Sequence, residues 1–163
     1  MDAICSLKAA PNADTREWPQ PPHRPIPARK GNGILVIDNE PGIRRLLEIA
    51  FTQRGYQVWL ASNGEEGAKL FDLHRQDIAM VLIDVVMPIL DGPGTLEALR
   101  RIDPQVLCCF MTGNGGEYTL EHLENLGAVR IFTKPFVLRE ILETALQLTQ
   151  AQAAPTDVIH SGR

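Results

Sequence analysis

The stretch Met80-Val81-Leu82-Ile83-Asp84-Val85-Val86-Met87-Pro88-Ile89-Leu90-Asp91-Gly92 sets four consecutive apolar residues directly against a carboxylate. An apolar run of that length, closed by a polar residue and a turn bearing Pro and Gly, has the pattern of a strand buried on both faces. Asp84 then stands at the C-terminal mouth of the strand, where open α/β sheets bind ligands and carry chemistry. An Asp at that point can also do no more than cap the following turn. The rest of the chain has to decide between the two.

Upstream, Ile34-Leu35-Val36-Ile37 is a second aliphatic run, ending in Asp38-Asn39-Glu40. Pro41 to Arg54 carries Ile43, Leu46, Leu47, Ala50 and Phe51 as the apolar stripe of an amphipathic helix, with Pro in its first turn and Gly55 as its stop. Gln57 to Ala61 reads as a strand, and the stretch from Gly64 to His74 as a helix with Ala68, Leu70 and Phe71 inward. Beyond the strand Ala79 to Ile83, the pattern predicts a helix over Thr95 to Arg101, a strand over Val106 to Met111 and a helix over Tyr118 to Asn125. A last strand, Val129 to Phe132, and a helix over Leu138 to Leu148 complete the series. Such alternation predicts an α/β fold: five parallel strands joined by right-handed crossovers, with helices on both faces.

In that sheet the C-terminal strand ends share one edge, so residues far apart in sequence meet there. The polar candidates are Asp38, Asn39 and Glu40, then Asp84, Thr112 and Lys134; the second strand ends in Ala61-Ser62 and adds no charge. Two carboxylates and a lysine around a small crevice suit a hard divalent cation and a phosphoryl group. Asp84 is placed to act as a nucleophile on phosphorus, with Thr112 donating a hydrogen bond and Lys134 a positive charge to the phosphoryl oxygens.

Composition narrows the alternatives. The chain has 163 residues, 44% of them hydrophobic, enough for one core. Residues 1–32 are rich in Pro and read as a disordered leader, in which Trp18 is either an incidental exposed aromatic or an anchor. Residues 33–150 form the domain, and residues 151–163 read as a frayed tail. A net charge of −4, with Arg24, Arg29 and Lys30 as the best basic cluster, argues against direct nucleic-acid binding. Cys5 and the adjacent Cys108-Cys109 fit neither a disulfide framework nor a zinc spacing, and the pair reads as strand core in a reducing compartment. With no signal peptide or membrane-spanning stretch, the expected location is the cytoplasm and no membrane partner is expected.

The fragments Ile34-Leu35-Val36-Ile37-Asp38-Asn39-Glu40-Pro41, Ile83-Asp84 through Gly92, Met111-Thr112-Gly113 and Thr133-Lys134-Pro135-Phe136 occur in an order and at spacings that resemble the receiver domain of two-component response regulators. The resemblance covers Gly33 to about Thr149. It implies the flavodoxin-like doubly wound sheet with strand order 2-1-3-4-5, an order for which a chemotaxis receiver is itself a worked example. It further implies that Asp84 is the phosphoacceptor, served by a sensor histidine kinase or histidine phosphotransfer protein. Asp38, Asn39, Asp84 and the backbone carbonyl of Val86 would hold Mg2+; Thr112 would be the switch hydroxyl, and Lys134 would pair with the phosphoryl oxygens. Pro135 would follow a cis peptide, and Gly92 and Gly113 would permit tight turns beside the site.

Two positions depart from the family pattern. Asn39 stands where similar receivers usually carry a second acid, and a charge lost about 4 Å from the cation is worth at most about 4 kcal/mol at an effective dielectric near 20. Glu40 either compensates through water or points away on the first helical turn, favouring the helix dipole. Ile131 occupies a position that is often aromatic, so a response would run through Thr112 and the Gly113-Asn114-Gly115-Gly116 loop, with Ile131 on the output face and Phe132 in the core.

The expected function is that of a stand-alone receiver, a signalling domain rather than an enzyme although self-phosphorylating and autodephosphorylating. It would act on an unknown downstream protein through helix 4, strand 5 and helix 5, including Tyr118, Glu121, Arg130 and Arg139, with homodimerisation open. Two rivals remain: a degenerate receiver that binds partners without phosphorylation, and a phosphohydrolase working through an aspartyl phosphate.

Overall fold

The computed structural model describes residues 31–113 and 118–153. The leader up to residue 30 with Cys5 and Trp18, loop residues 114–117 and the tail from residue 154 lie outside the described residues. The elements alternate as β1 (Gly33–Ile37), α1 (Pro41–Thr52), β2 (Val58–Ala61), α2 (Gly64–His74) and β3 (Ile78–Asp84). There follow α3 (Gly92–Ile102), β4 (Cys108–Thr112), α4 (Leu120–Asn125), β5 (Arg130–Thr133) and α5 (Leu138–Ala153). All strand pairs are parallel, as the β-α alternation predicts, and the sheet order is β2-β1-β3-β4-β5, as the resemblance to receivers implies.

Every residue of β1, β3 and β4 is buried, while the outer strands β2 and β5 are partly open. Because strand side chains alternate, each central strand feeds two cores. Leu35, Ile37, Val81, Ile83, Cys108 and Phe110 pack with Phe71 of α2, Leu96 and Leu99 of α3 and Leu123 of α4. Ile34, Val36, Met80, Leu82, Cys109 and Met111 pack with Leu47, Ala50 and Phe51 of α1 and with Ile141, Leu142, Ala145 and Leu148 of α5. Cys108 and Cys109 are therefore buried core residues on opposite faces, and burial pushes the Cys109 thiol up to about 12. Ile131 and Phe132 likewise lie on opposite faces of the sheet, as strand alternation predicts, and both are buried.

Several sequence expectations shift at element ends. Leu46 is 44% exposed and does not belong to the core stripe of α1. That helix stops at Thr52, and Gly55, at φ 80°, carries the turn that follows. Helix α3 begins at Gly92 rather than Thr95, because the Asp91 side chain accepts the Gly94 N–H at 2.8 Å and caps a first turn containing Pro93. Helix α5 continues to Ala153, beyond Leu148 and into the stretch read as tail, and Tyr56 and Thr149 hydroxyls meet at 3.3 Å along it.

The connection from β3 to α3 holds a β-branched residue in the left-handed region, Ile89 at φ 73°, with its side chain 75% exposed. That conformation costs a branched residue roughly 1–2 kcal/mol, and so exposed a side chain recovers little by packing. Ile89→Gly should therefore raise stability by about 0.5–1 kcal/mol in urea unfolding, the gain being trimmed by the greater freedom of glycine in the unfolded chain. A destabilised variant would contradict the strain.

Candidate functional site

Parallel pairing delivers the ends of β1, β3, β4 and β5 to one crevice. Asp38 follows β1 and is fully buried; Asp84 ends β3 and is 5% exposed; Thr112 ends β4 and is also 5% exposed. Lys134 follows β5, where its backbone N–H donates to the Thr112 carbonyl at 2.6 Å and its bond to Pro135 is cis. The Lys134 Nζ lies 3.0 Å from Asp38 Oδ2, 3.1 Å from Asp84 Oδ1 and 2.9 Å from Glu40 Oε1. Asp84 is thus committed to a tertiary ion cluster, which is not the behaviour of a simple turn cap.

Glu40 does not point away. Its carboxylate reaches Lys134 while its backbone N–H donates to Asp38 Oδ1 at 2.8 Å. Sequence reasoning also missed Arg44, one turn into α1, whose guanidinium donates to the Asp38 carbonyl at 2.6 Å. An acid two residues and an arginine six residues beyond a strand-end Asp are the signals that could have found them.

Other candidates stand near this cluster without joining it. Among the described residues Thr112 Oγ1 donates to the neighbouring Gly113 carbonyl, at 3.3 Å, a long bond that a better acceptor can replace. Asn39 is exposed beside Asp38, and the Val86 side chain is 58% exposed. Gly92 is required by close approach, since a Cβ there would stand 2.8 Å from Val85 Cα and 2.9 Å from the Asp84 carbonyl oxygen. Gly113 is different: its φ is ordinary, and among the described residues a Cβ there would meet nothing within 4 Å.

The electrostatics follow from one ammonium serving three carboxylates. Burial, then the neighbouring Asp38 charge, push Asp84 from 3.8 up to about 6 despite the opposing pull of Lys134. Burial works against the Lys134 ammonium as well, but hydrogen bonds to Glu40, Asp38 and Asp84 outweigh it and raise its pKa. Lys134 is well neutralised while Asp84 is left short of positive charge. That deficit is what a cation would supply. Among the described residues no three His, Cys, Asp or Glu side chains form a metal cage. The hard oxygen donors of Asp38 and Asp84 fit Mg2+, which commonly binds one or two carboxylates and completes its shell with water and phosphate oxygens.

The residues named for the output face divide between exposed and bonded positions. Glu121 and Arg139 are exposed, but the Tyr118 hydroxyl donates to Asp91 and Arg130 donates to the buried Thr144 hydroxyl at 3.0 Å. A groove of about 410 Å3 lies on this face, lined by residues including Leu120, Arg130, Phe136, Val137 and Glu140, apart from the Asp84 crevice.

A doubly wound five-stranded sheet with an acid pair and a lysine at its C-terminal edge defines a class of protein, and the comparisons identify it. The family model for the response regulator receiver domain matches residues 34–146, and the chain belongs to that family. It is 35% identical over 108 residues to sporulation initiation phosphotransferase F of Bacillus subtilis, covering 66% of this chain and 86% of that protein. It is also 35% identical over 135 residues to the probable transcriptional regulator ycf27 of Pyropia yezoensis, covering 78% of this chain but 54% of that protein. The chain thus spans about half the length of that regulator. A receiver domain structure from Clostridium thermocellum superposes with a TM-score of 0.68 at 26% identity, covering 72% of this chain and 94% of that one. No described helix is long and apolar enough to cross a membrane.

The raised Asp84 pKa has a consequence for stability. Below the unfolded value near 3.8 the carboxyl is neutral in both states and costs nothing; as pH rises through about 6 the folded chain must carry a buried charge that the unfolded chain carries freely. Asp84→Asn should stabilise the metal-free protein at pH 8 by about 1–2 kcal/mol, allowing for solvent screening, and the gain should vanish by pH 4. Urea unfolding at the two pH values checks this, and a variant no more stable than wild type at pH 8 would contradict it.

Proposed function

We propose that this receiver accepts a phosphoryl group on Asp84 from a phosphohistidine of a sensor kinase or histidine phosphotransfer protein, in a Mg2+-dependent step, and signals through protein contacts. The convergence of Asp84 and Asp38 on Lys134 at the sheet edge carries the reading. Kinship with a protein named as a phosphotransferase is in keeping with phosphoryl transfer. Residues 33–150 form the working domain in this reading, with a cytoplasmic location.

Asp84 is the nucleophile: its carboxylate oxygen bonds to phosphorus as the bond to the donor imidazole nitrogen breaks, and the departing imidazole takes up a proton. Lys134 exchanges a carboxylate for a phosphoryl oxygen, and the Thr112 hydroxyl turns from Gly113 to donate to another. Asp38, Asp84, Asn39 and the Val86 carbonyl would hold Mg2+, whose charge offsets that of the incoming oxygens. The bonded Tyr118 and Arg130 then belong to a face whose two states phosphorylation biases toward a downstream partner.

Incubation with acetyl phosphate should give one Mg2+-dependent phosphate per chain, none in Asp84→Asn, and faster incorporation at low Mg2+ in Asn39→Asp. No incorporation into wild type would favour a phosphorylation-independent binding module. The Val86 side chain cannot hydrogen-bond an attacking water, so the phosphorylated form should persist for minutes or longer. A lifetime of seconds would contradict that part of the reading.

A further inference from the structure

We infer that Glu40 supplies to the cation site the negative charge that Asn39 lacks, acting as a positioning residue through Lys134 rather than as a metal ligand. The inference rests on the reading of the crevice as a Mg2+-dependent phosphoacceptor site. Two contacts carry it. The Glu40 backbone N–H anchors Asp38 Oδ1 at 2.8 Å, and the Glu40 carboxylate takes one hydrogen bond from Lys134 Nζ at 2.9 Å.

An ammonium has three donors, and here each goes to a different carboxylate: Asp38, Glu40 and Asp84. Glu40 therefore sets how much of the Lys134 charge remains to neutralise the two acids deeper in the crevice. The Glu40 carboxylate draws part of the Lys134 charge outward, so Asp38 and Asp84 keep negative potential for a divalent cation. An uncharged side chain in place of Glu40 would leave the same ammonium to bear more fully on those two acids and compete with the cation for them. Glu40 is 59% exposed at its side chain, whereas Asp38 is fully buried. It can hold Lys134 from the rim without itself entering a desolvated site. Asn39, exposed between them, contributes an amide and no charge. The acid has moved one residue along the chain, and the lysine transmits its effect.

Isothermal titration of the full chain with MgCl2 tests this on wild type, Glu40→Gln and the swap variant Asn39→Asp/Glu40→Gln. The amide of Glu40→Gln keeps an oxygen that can accept from Lys134, so the substitution removes charge with little change of shape. It should weaken Mg2+ binding about three- to tenfold, less than the roughly ten- to hundredfold typical of buried partners of metal ligands because Glu40 lies at the exposed rim. The swap returns one negative charge to the neighbouring position and should restore at least wild-type affinity. Chemical denaturation in EDTA should show all three proteins folded. Glu40→Gln binding Mg2+ as tightly as wild type, or a swap variant no better than Glu40→Gln, would overturn the inference. Wild type showing no saturable Mg2+ binding would instead overturn the metal-dependent reading on which it rests.

Discussion

The Lys134 ammonium bridges carboxylates delivered by the chain near residues 38, 40 and 84, and it can do so only because parallel pairing ends β1, β3 and β5 on one side of the sheet. A buried carboxylate without a partner is costly, and two close together are worse. One shared lysine makes the arrangement tolerable without relieving it fully, which is why Asp84 sits at about 6. The fold thus retains an acid poised for further positive charge. The two apolar cores hold β1 and β3 rigidly behind it, so the strained groups stay aligned rather than relaxing apart.

Much of this architecture was legible because its signals are local and repeated. The runs Ile34 to Ile37 and Met80 to Ile83 admit little but buried strands, and a β-α alternation leaves few topologies. Asp38, Asp84, Thr112 and Lys134 could be grouped from their positions at strand ends alone. Their family match then follows from order and spacing, and the receiver-domain comparison agrees with it over residues 34–146.

What escaped the sequence was decided by side-chain direction and capping. Glu40 had two open readings because a first-turn acid can face the helix dipole or the sheet edge; the partner that settles the matter, Lys134, is far away in sequence. Helix α3 begins three residues before the expected Thr95 because Asp91 caps a first turn that contains Pro93. Leu46 fits the helical stripe by spacing, but the covering surface does not extend to it. Each case depends on a contact outside the local window.

The proposed function requires phosphorylation at the carboxylate at the mouth of β3 and at no other in the cluster. Treating the acetyl phosphate-labelled protein with borohydride reduces an aspartyl phosphate to homoserine, which peptide mass spectrometry can place. Homoserine is expected at position 84 alone, and only after labelling with Mg2+. Conversion at Asp38 or Asp91 in place of Asp84, or labelling at 84 that is indifferent to Mg2+, would contradict it.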